Sequence, residues 1–525
     1  MRGRMNRWNA GGLCVFVLFL GILLSIDHVR SSNATPPAGP RQSSSIALTV
    51  DDFFAVVVNP DTDSLTFFDV TTDTPIKIGE IPVGGNPSSV AIDANYIAYV
   101  ANSRDGSVSV VDLFALAVTD VVAVGSEPTA LALSPNGTRL YVANSASNSL
   151  SVLDTATKSV VATVDLSAFG TAPRAIAVTN NGDSNDTDET VFVALFFSQL
   201  RPGKTAVQEG EDNQREGRVV AISAATNTVL GAPNPIRLSP IANTGFNANG
   251  QLVPAPGQVP AVPSTNPQAF TTPTGAFPNQ LAALALHPLA ARAYVVSTGA
   301  SPNGPLRFNS NAQGLLSVYS TATRTELTAA QTDPSVRRTA PLNLNQGINL
   351  STTPAPRLFL TNPVAMSWRP DGSDAWVVIQ NTDLLVRVTA DVNGIPTVGA
   401  PLVAGPSQIV RVDLQNVPAG EIAGKAPRGL AINSTGTRLY AHNFISRSIT
   451  TVDITSPTTP TIVGTAQSSD SPAPGSPEAV VQLGAELFYT GRGPEGRMSS
   501  ASRESIALRN RGSSFAKVLE RMSVR

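Results

Sequence analysis

The sequence predicts an all-β protein, a seven-bladed β-propeller of four-stranded antiparallel blades over residues 46–465, and three observations carry that prediction. The first is composition. Among 525 residues there are 40 Gly and 41 Pro, only 14% are charged, and the mean hydropathy is +0.06. Such a chain suits short strands joined by many turns and excludes a charged disordered polymer or a coiled coil. The second is a repeat: Tyr99 and Tyr141, Asn102 and Asn144, and Asp112 and Asp154 are each 42 residues apart, the period of a propeller blade. The third is alternation. Each period holds four runs with apolar residues at every second position, separated by turn residues.

In chain order, Arg2, Arg4 and Arg7 precede an uncharged run from Gly11 to Ile26, followed by a polar exit. A basic start and a short apolar stretch read as a secretory signal over residues 1–34, with Ser32-Asn33-Ala34 as the cleavage site. An uncleaved N-terminal anchor is the alternative and the only membrane contact expected. Residues 35–45 read as a linker. The chain is therefore expected to be exported, to the periplasm or the extracellular space. Between residues 31 and 490, 24 basic residues face 34 acidic ones, which argues against a nucleic-acid partner.

Within the ring, strand A is introduced by Pro87, Pro128, Pro173, Pro278, Pro363 and Pro427. Strand B recurs as YIAYVAN, RLYVAN and RLYAHNF, strand C as SVSVVD, SLSVLD and SITTVD, and strand D as SVVATVDL. Whether residues 46–50 are strand A of the first blade or an outer strand of the last is left open by the pattern. Asp69, Asp112, Asp154 and Asp453 end strand C, where Ser223, Ser320 and Thr389 replace them in other units. Interchange of Asp, Ser and Thr marks turn residues that accept backbone amides rather than a ring of carboxylates.

The unit RLYVANSASNSLSVLDTATKSVVATV resembles the YVTN family of secreted seven-bladed propellers. The resemblance implies the fold and leaves function open, because such propellers serve as surface-layer, binding and enzyme-subunit modules alike.

Successive Pro markers are 41, 45, 105, 85 and 64 residues apart, so blades four to six carry long extra loops. They fall between strands B and C or between strand D and the next strand A, including residues 239–278 and 331–362. Both connections emerge on one side of an antiparallel blade, which decorates one face of the ring. Insertions concentrated there suit a binding face for a protein, a glycan or a small ligand. Arg174 and Arg428, at equivalent positions at the start of strand A, are the candidate ligand-face residues; ordinary surface arginines are the competing reading.

No catalytic, cofactor-binding or metal-binding residue is expected in the ring. The chain has three His and one Cys, and neither Cys14 nor His28, both in the signal segment, belongs to it. His287 ends a strand A while His442 lies late in a strand B, at opposite ends of the disc, so they cannot share a metal. Asp183, Asp186, Asp188 and Glu189 crowd one turn that lacks the Gly and closing Glu of a Ca²⁺ loop and reads as a solvated acidic turn.

A linker, residues 466–479, precedes residues 480–500 (VVQLGAELFYTGRGPEGRMSS). Their G-x-x-L-F start resembles the opening of a c-type cytochrome domain of di-haem peroxidase-like proteins. Residues 501–525 have neither strand pattern nor haem ligands and read as a disordered or out-of-frame tail. With no Cys pair to attach haem, no cofactor is expected in this chain, c-type haem being that of an intact relative. Two functions follow. One is an exported, non-catalytic scaffold that binds through the decorated face. The alternative is the propeller half of a periplasmic redox protein, paired with a c-type cytochrome, with any redox catalysis residing in the missing haem domain or a partner.

Overall fold

The computed structural model describes residues 41–205, 210–231, 234–245, 274–302, 311–329, 339–345, 359–399 and 409–489; the signal segment, the tail and parts of the inserts lie outside them. The alternating segments form seven antiparallel sheets. Blade one is Ile46–Leu48, Phe54–Asn59, Ser64–Asp69 and Ile76–Pro82, so residues 46–48 are its own strand A. Blade seven is Pro427–Ile432, Arg438–Asn443, Ser448–Asp453 and Thr461–Gln467. Each strand A touches the strand A of both neighbouring blades, and that of blade seven touches that of blade one, which closes the ring.

Sandwiching between blades explains the burial pattern. Strands B and C are covered on both faces, as in Arg139–Asn144 and Ser149–Asp154, where only the outermost residue of each is partly exposed. Strand D of blade two, Ala117–Ala123, has only one covered face and alternates along its length. Each inter-blade seam is a layer of small and branched apolar residues, such as Ala130, Tyr141, Val152, Ile176 and Val193 between blades three and four.

One side-chain device recurs. The last residue of strand B is Asn59, Asn102, Asn144 or Asn443 in blades one, two, three and seven. Its amide donates to a hydroxyl five residues on and to another seven residues on: Ser64 and Thr66, Ser107 and Ser109, Ser149 and Ser151, Ser448 and Thr450, at 2.8–3.1 Å. This pins the B-to-C turn from inside the blade. The strand-end Asp residues cap the opposite turn: Asp69 accepts from Thr71 N, Asp112 from Phe114 N and Asp453 from Thr455 N at 2.8–2.9 Å.

The ring closes without a shared sheet. Ile46, Ala55, Val57 and Phe68 of blade one pack on Tyr440 and Ile449 of blade seven. Thr66 donates to Ser468 O at 2.6 Å, and Arg438 donates to Asp73 at 2.8 Å.

Two features depart from the sequence-based expectations. In blades four, five and six the outer edge is split. Thr325–Glu326 and Leu342–Asn343, for example, both pair with Ala312–Ser320, so the insert begins inside strand D. An outer strand lacks a partner on its far side and can be interrupted without breaking the ring. The acidic turn is also not fully solvated. Asp186 and Glu189 are buried. Asp186 reaches the A-to-B turn of blade three, accepting from Ser134 Oγ at 2.6 Å, Thr138 Oγ1 at 2.5 Å and Asn136 N at 2.9 Å.

Residues 41–45 enter the channel of the ring. Arg41 and Gln42 pair antiparallel with Val178 and Ala177 of strand A in blade four. Strand A runs away from the decorated face, so this segment runs toward it, and the chain enters the channel at the undecorated end.

Candidate functional site at the channel mouth

The site is built where strands A begin and strands B end, on the decorated face. Arg174 and Arg428 are the second residues of strand A in blades four and seven. Arg428 places its guanidinium carbon 3.7 Å from the centroid of Phe444, and Arg174 lies 5.0 Å from that of Phe196. Phe196 and Phe444 occupy the position held by Ser103 and Ser145 in blades two and three. Each blade with the Arg therefore also carries the ring that holds it. The pairing stands in the sequence, in VALF and AHNF against VANS.

Beside Arg428 a small pocket opens at the seam of blades seven and one, lined by Asn59, Asp61, His442, Phe444, Arg447 and Ser469. Burial pushes the Asp61 carboxyl above its ordinary pKa, while Arg447, 3.7 Å away, and Arg428 pull it back. Burial, reinforced by Arg428, pushes His442 down to about 3, so its imidazole is neutral. Its Nδ1 lies 2.8 Å from Ser45 Oγ. Asn59 Oδ1, Arg447 Nε and Ser469 Oγ are buried with no hydrogen-bond partner among the described residues. The pocket thus offers donors and an acceptor to a guest about the size of a water molecule.

A helix, α1 (Pro477–Tyr489), covers the same mouth. Ser476 caps it, accepting from Ala479 N at 3.2 Å, with Pro477 in the first helical position. Ala485 and Tyr489 pack on Ala426, Phe444 and Ile445. Lys425 pairs with Glu486 at 2.7 Å, and Gln482 Nε2 donates to Ile445 O at 2.7 Å. The centroid of Tyr489 lies 5.9 Å from the Arg428 guanidinium. The opposite side of α1 leaves Val480, Val481, Leu483 and Leu487 between 52% and 72% exposed.

The inserts of blades four and five are tied together on this face. Asp212 accepts from Gly275 N and Ser301 Oγ, at 2.9 and 3.1 Å. Asn343 Nδ2 donates to Thr244 O and Gln313 Oε1. His287 lies at the other end of the disc, 4.6 Å from Trp368 between ring centroids, and burial lowers its pKa. The two histidines do not meet, and among the described residues no three His, Cys, Asp or Glu gather as a metal site.

Residues 48–219 match the family model described as Cytochrome D1 heme domain. No curated protein matches the chain. Among solved structures, Hydrazine Synthase of Kuenenia stuttgartiensis is 16% identical with a TM-score of 0.49, over 80% of this chain and 96% of that one. A functionally unknown protein from Desulfotomaculum acetoxidans DSM 771 is 12% identical with a TM-score of 0.42, over 78% and 94%. Hsv2 of Kluyvelomyces marxianus is 10% identical with a TM-score of 0.39, over 82% and 100%.

The family match corrects the expectation that this chain has no cofactor. The part that matches a haem domain, residues 48–219, lies within the propeller itself. Residues 48–219 contain no His, Met or Cys. Their three tyrosines, Tyr96, Tyr99 and Tyr141, are buried, and burial raises all three hydroxyls, Tyr141 to about 12, which disfavours a tyrosinate. The matched segment is thus similar to a haem domain in its propeller strands and holds no His, Met, Cys or tyrosinate to serve as an axial ligand.

Proposed function

We propose that this chain is an exported, redox-related propeller scaffold of the YVTN kind whose decorated face receives a haem-bearing protein module. The observation that carries the reading is α1 on that face: the G-x-x-L-F segment resembling the opening of a c-type cytochrome domain is seated beside the channel mouth, and α1 ends there at Tyr489. The match to the Cytochrome D1 heme domain family supports the redox setting, and the basic, apolar and polar order of the first residues supports export. Among the described residues no helix is long and apolar enough to cross a membrane.

A second reading keeps the face and changes the guest. The pocket with unpartnered Asn59, Arg447 and Ser469 atoms favours a small polar ligand, about the size of a water molecule, at the same mouth. A photo-crosslinking amino acid at position 483 or 487, and at rim position 121 as control, separates the two in the native host. Adducts from the decorated face that stain for covalently attached haem, with none from the rim, are expected. Absence of any haem-staining adduct from positions 483 and 487 rejects the redox reading and leaves the small-ligand one.

A further inference from the structure

Seven inner strands leave seven inner edges facing the channel, and an inner edge needs partners for its amides and carbonyls. The chain supplies several of them from one short segment. Ser43 N donates to Ile176 O at 2.9 Å, and Ile176 N donates to Ser43 Oγ at 3.1 Å, on blade four. Ser44 O accepts from Val90 N at 2.9 Å and from Ser89 Oγ at 3.0 Å, on blade two. Gln42 Nε2 donates to Met366 O at 2.8 Å on blade six, and Ser45 Oγ meets His442 Nδ1 on blade seven. The side chains of Gln42, Ser43 and Ser45 thus reach three blades directly, and the backbone of Ser44 reaches a fourth. Room for the segment is shaped on blade seven, where a Cβ at Gly429 would lie 2.4 Å from Ser45 Oγ.

We propose that the central channel is a binding site for an extended, hydroxyl-rich peptide, and that the chain fills it in cis with residues 42–45. Recognition is strand addition to the inner edge of blade four, completed by short polar side chains that satisfy carbonyls and hydroxyls of the other blades. Long or apolar side chains at positions 43–45 would not fit this pattern.

The test uses the full chain carrying Ser43→Pro, which removes both bonds to Ile176. Amide exchange is followed at Ile176 and Val90, and a fluorescent peptide of residues 38–45 is titrated beside its scrambled version. The site predicts protected Ile176 and Val90 amides in the wild type, exchange faster by at least about tenfold in the variant, and saturable binding of the native peptide to the variant alone that restores protection. Fast exchange at both amides in the wild type overturns the proposal. So does unchanged exchange in the variant, or equal binding of the scrambled peptide. Should Ser43→Pro not fold, Gln42→Ala with Ser43→Ala is read by the same exchange experiment, and loss of protection at Ile176 is again required.

Discussion

The Asn that pins the B-to-C turn in four of the blades also sets what can precede strand A, and the two effects can be separated in blade seven. Asn443 is fully buried and donates to Ser448 at 3.1 Å and to Thr450 at 2.8 Å, while its Oδ1 has no partner among the described residues. Two net hydrogen bonds of about 1 kcal/mol each put the cost of Asn443→Ala at about 1–3 kcal/mol. Gly424 lies over the same amide. A Cβ added there would meet Oδ1 at 2.7 Å and Cγ and Nδ2 at 2.9 Å, closer than real contacts allow. Gly424→Ala therefore overpacks the site at about 1–3 kcal/mol. In the Asn443→Ala background those three atoms are gone, and the second substitution should cost only a few tenths of a kcal/mol. Urea unfolding of the two single variants and the double variant measures the cycle, with a coupling of about 1–2.5 kcal/mol expected. Additive costs, within about 0.5 kcal/mol, would refute the reasoning that one amide is responsible for both.

Three further outcomes follow from the same contacts. His442 stays neutral in the fold to about pH 3, whereas an unfolded imidazole protonates near 6.5. The unfolded state binds the extra proton in that window, so stability held above pH 6.5 falls by about 1.4 kcal/mol per pH unit below it. His442→Ala, matching Ala143 of blade three, should flatten this slope in unfolding curves from pH 6.5 to 5; an unchanged slope excludes His442 as its source. Burial raises the Asp186 carboxyl, but hydrogen bonds from Ser134, Thr138 and Asn136 outweigh it and hold the pKa low. Its contribution is present above the unfolded carboxylate pKa and lost as pH falls toward the lowered one. Asp186→Asn is expected to cost about 1.5–3 kcal/mol by thermal unfolding at pH 7, and a cost under about 0.5 kcal/mol would mean the clasp between blades three and four is idle. Lys425→Glu sets like charges against each other at Glu486. Exchange along α1 should rise while the ring's stability moves by less than about 1 kcal/mol, since the pair is partly exposed; an unaltered α1 would show that Tyr489 and Gln482 hold it alone.

The ring was legible in the sequence because each blade is specified locally. Period-two alternation, a Pro before strand A and Asn or Asp at strand ends lie within 42 residues of one another, and the structure places seven blades accordingly. The channel segment was not legible. Gln42-Ser43-Ser44-Ser45 has no apolar alternation and reads as linker, because its partners Met366 and His442 lie 324 and 397 positions away. Asp186 was misread for the same reason: its partners are on the neighbouring blade, and an acidic run carries no mark of that. Arg174 and Arg428 were found by their shared position in strand A, yet the aromatic rings beneath them were missed. Aligning strand B by its last Asn would have exposed Phe444, whereas blade four carries Leu195 at that place, opposite Pro173, and hides Phe196 from the same alignment. The cofactor expectation failed because it rested on Cys and His alone, whereas the match to a haem-domain family is carried by the propeller repeat, which such counts do not see.

The measurement that bears most directly on the decorated face as the working surface is the affinity of the haem-bearing partner, once captured there, for two variants of equal charge change. One carries Leu483→Asp with Leu487→Asp on the exposed side of α1, and the other carries Val121→Asp with Val161→Asp on the exposed outer strands of blades two and three. A loss of about tenfold or more for the α1 variant, corresponding to about 1.4 kcal/mol, with wild-type affinity for the rim variant, is the result predicted. Undiminished binding by the α1 variant, or an equal loss from both, would contradict it.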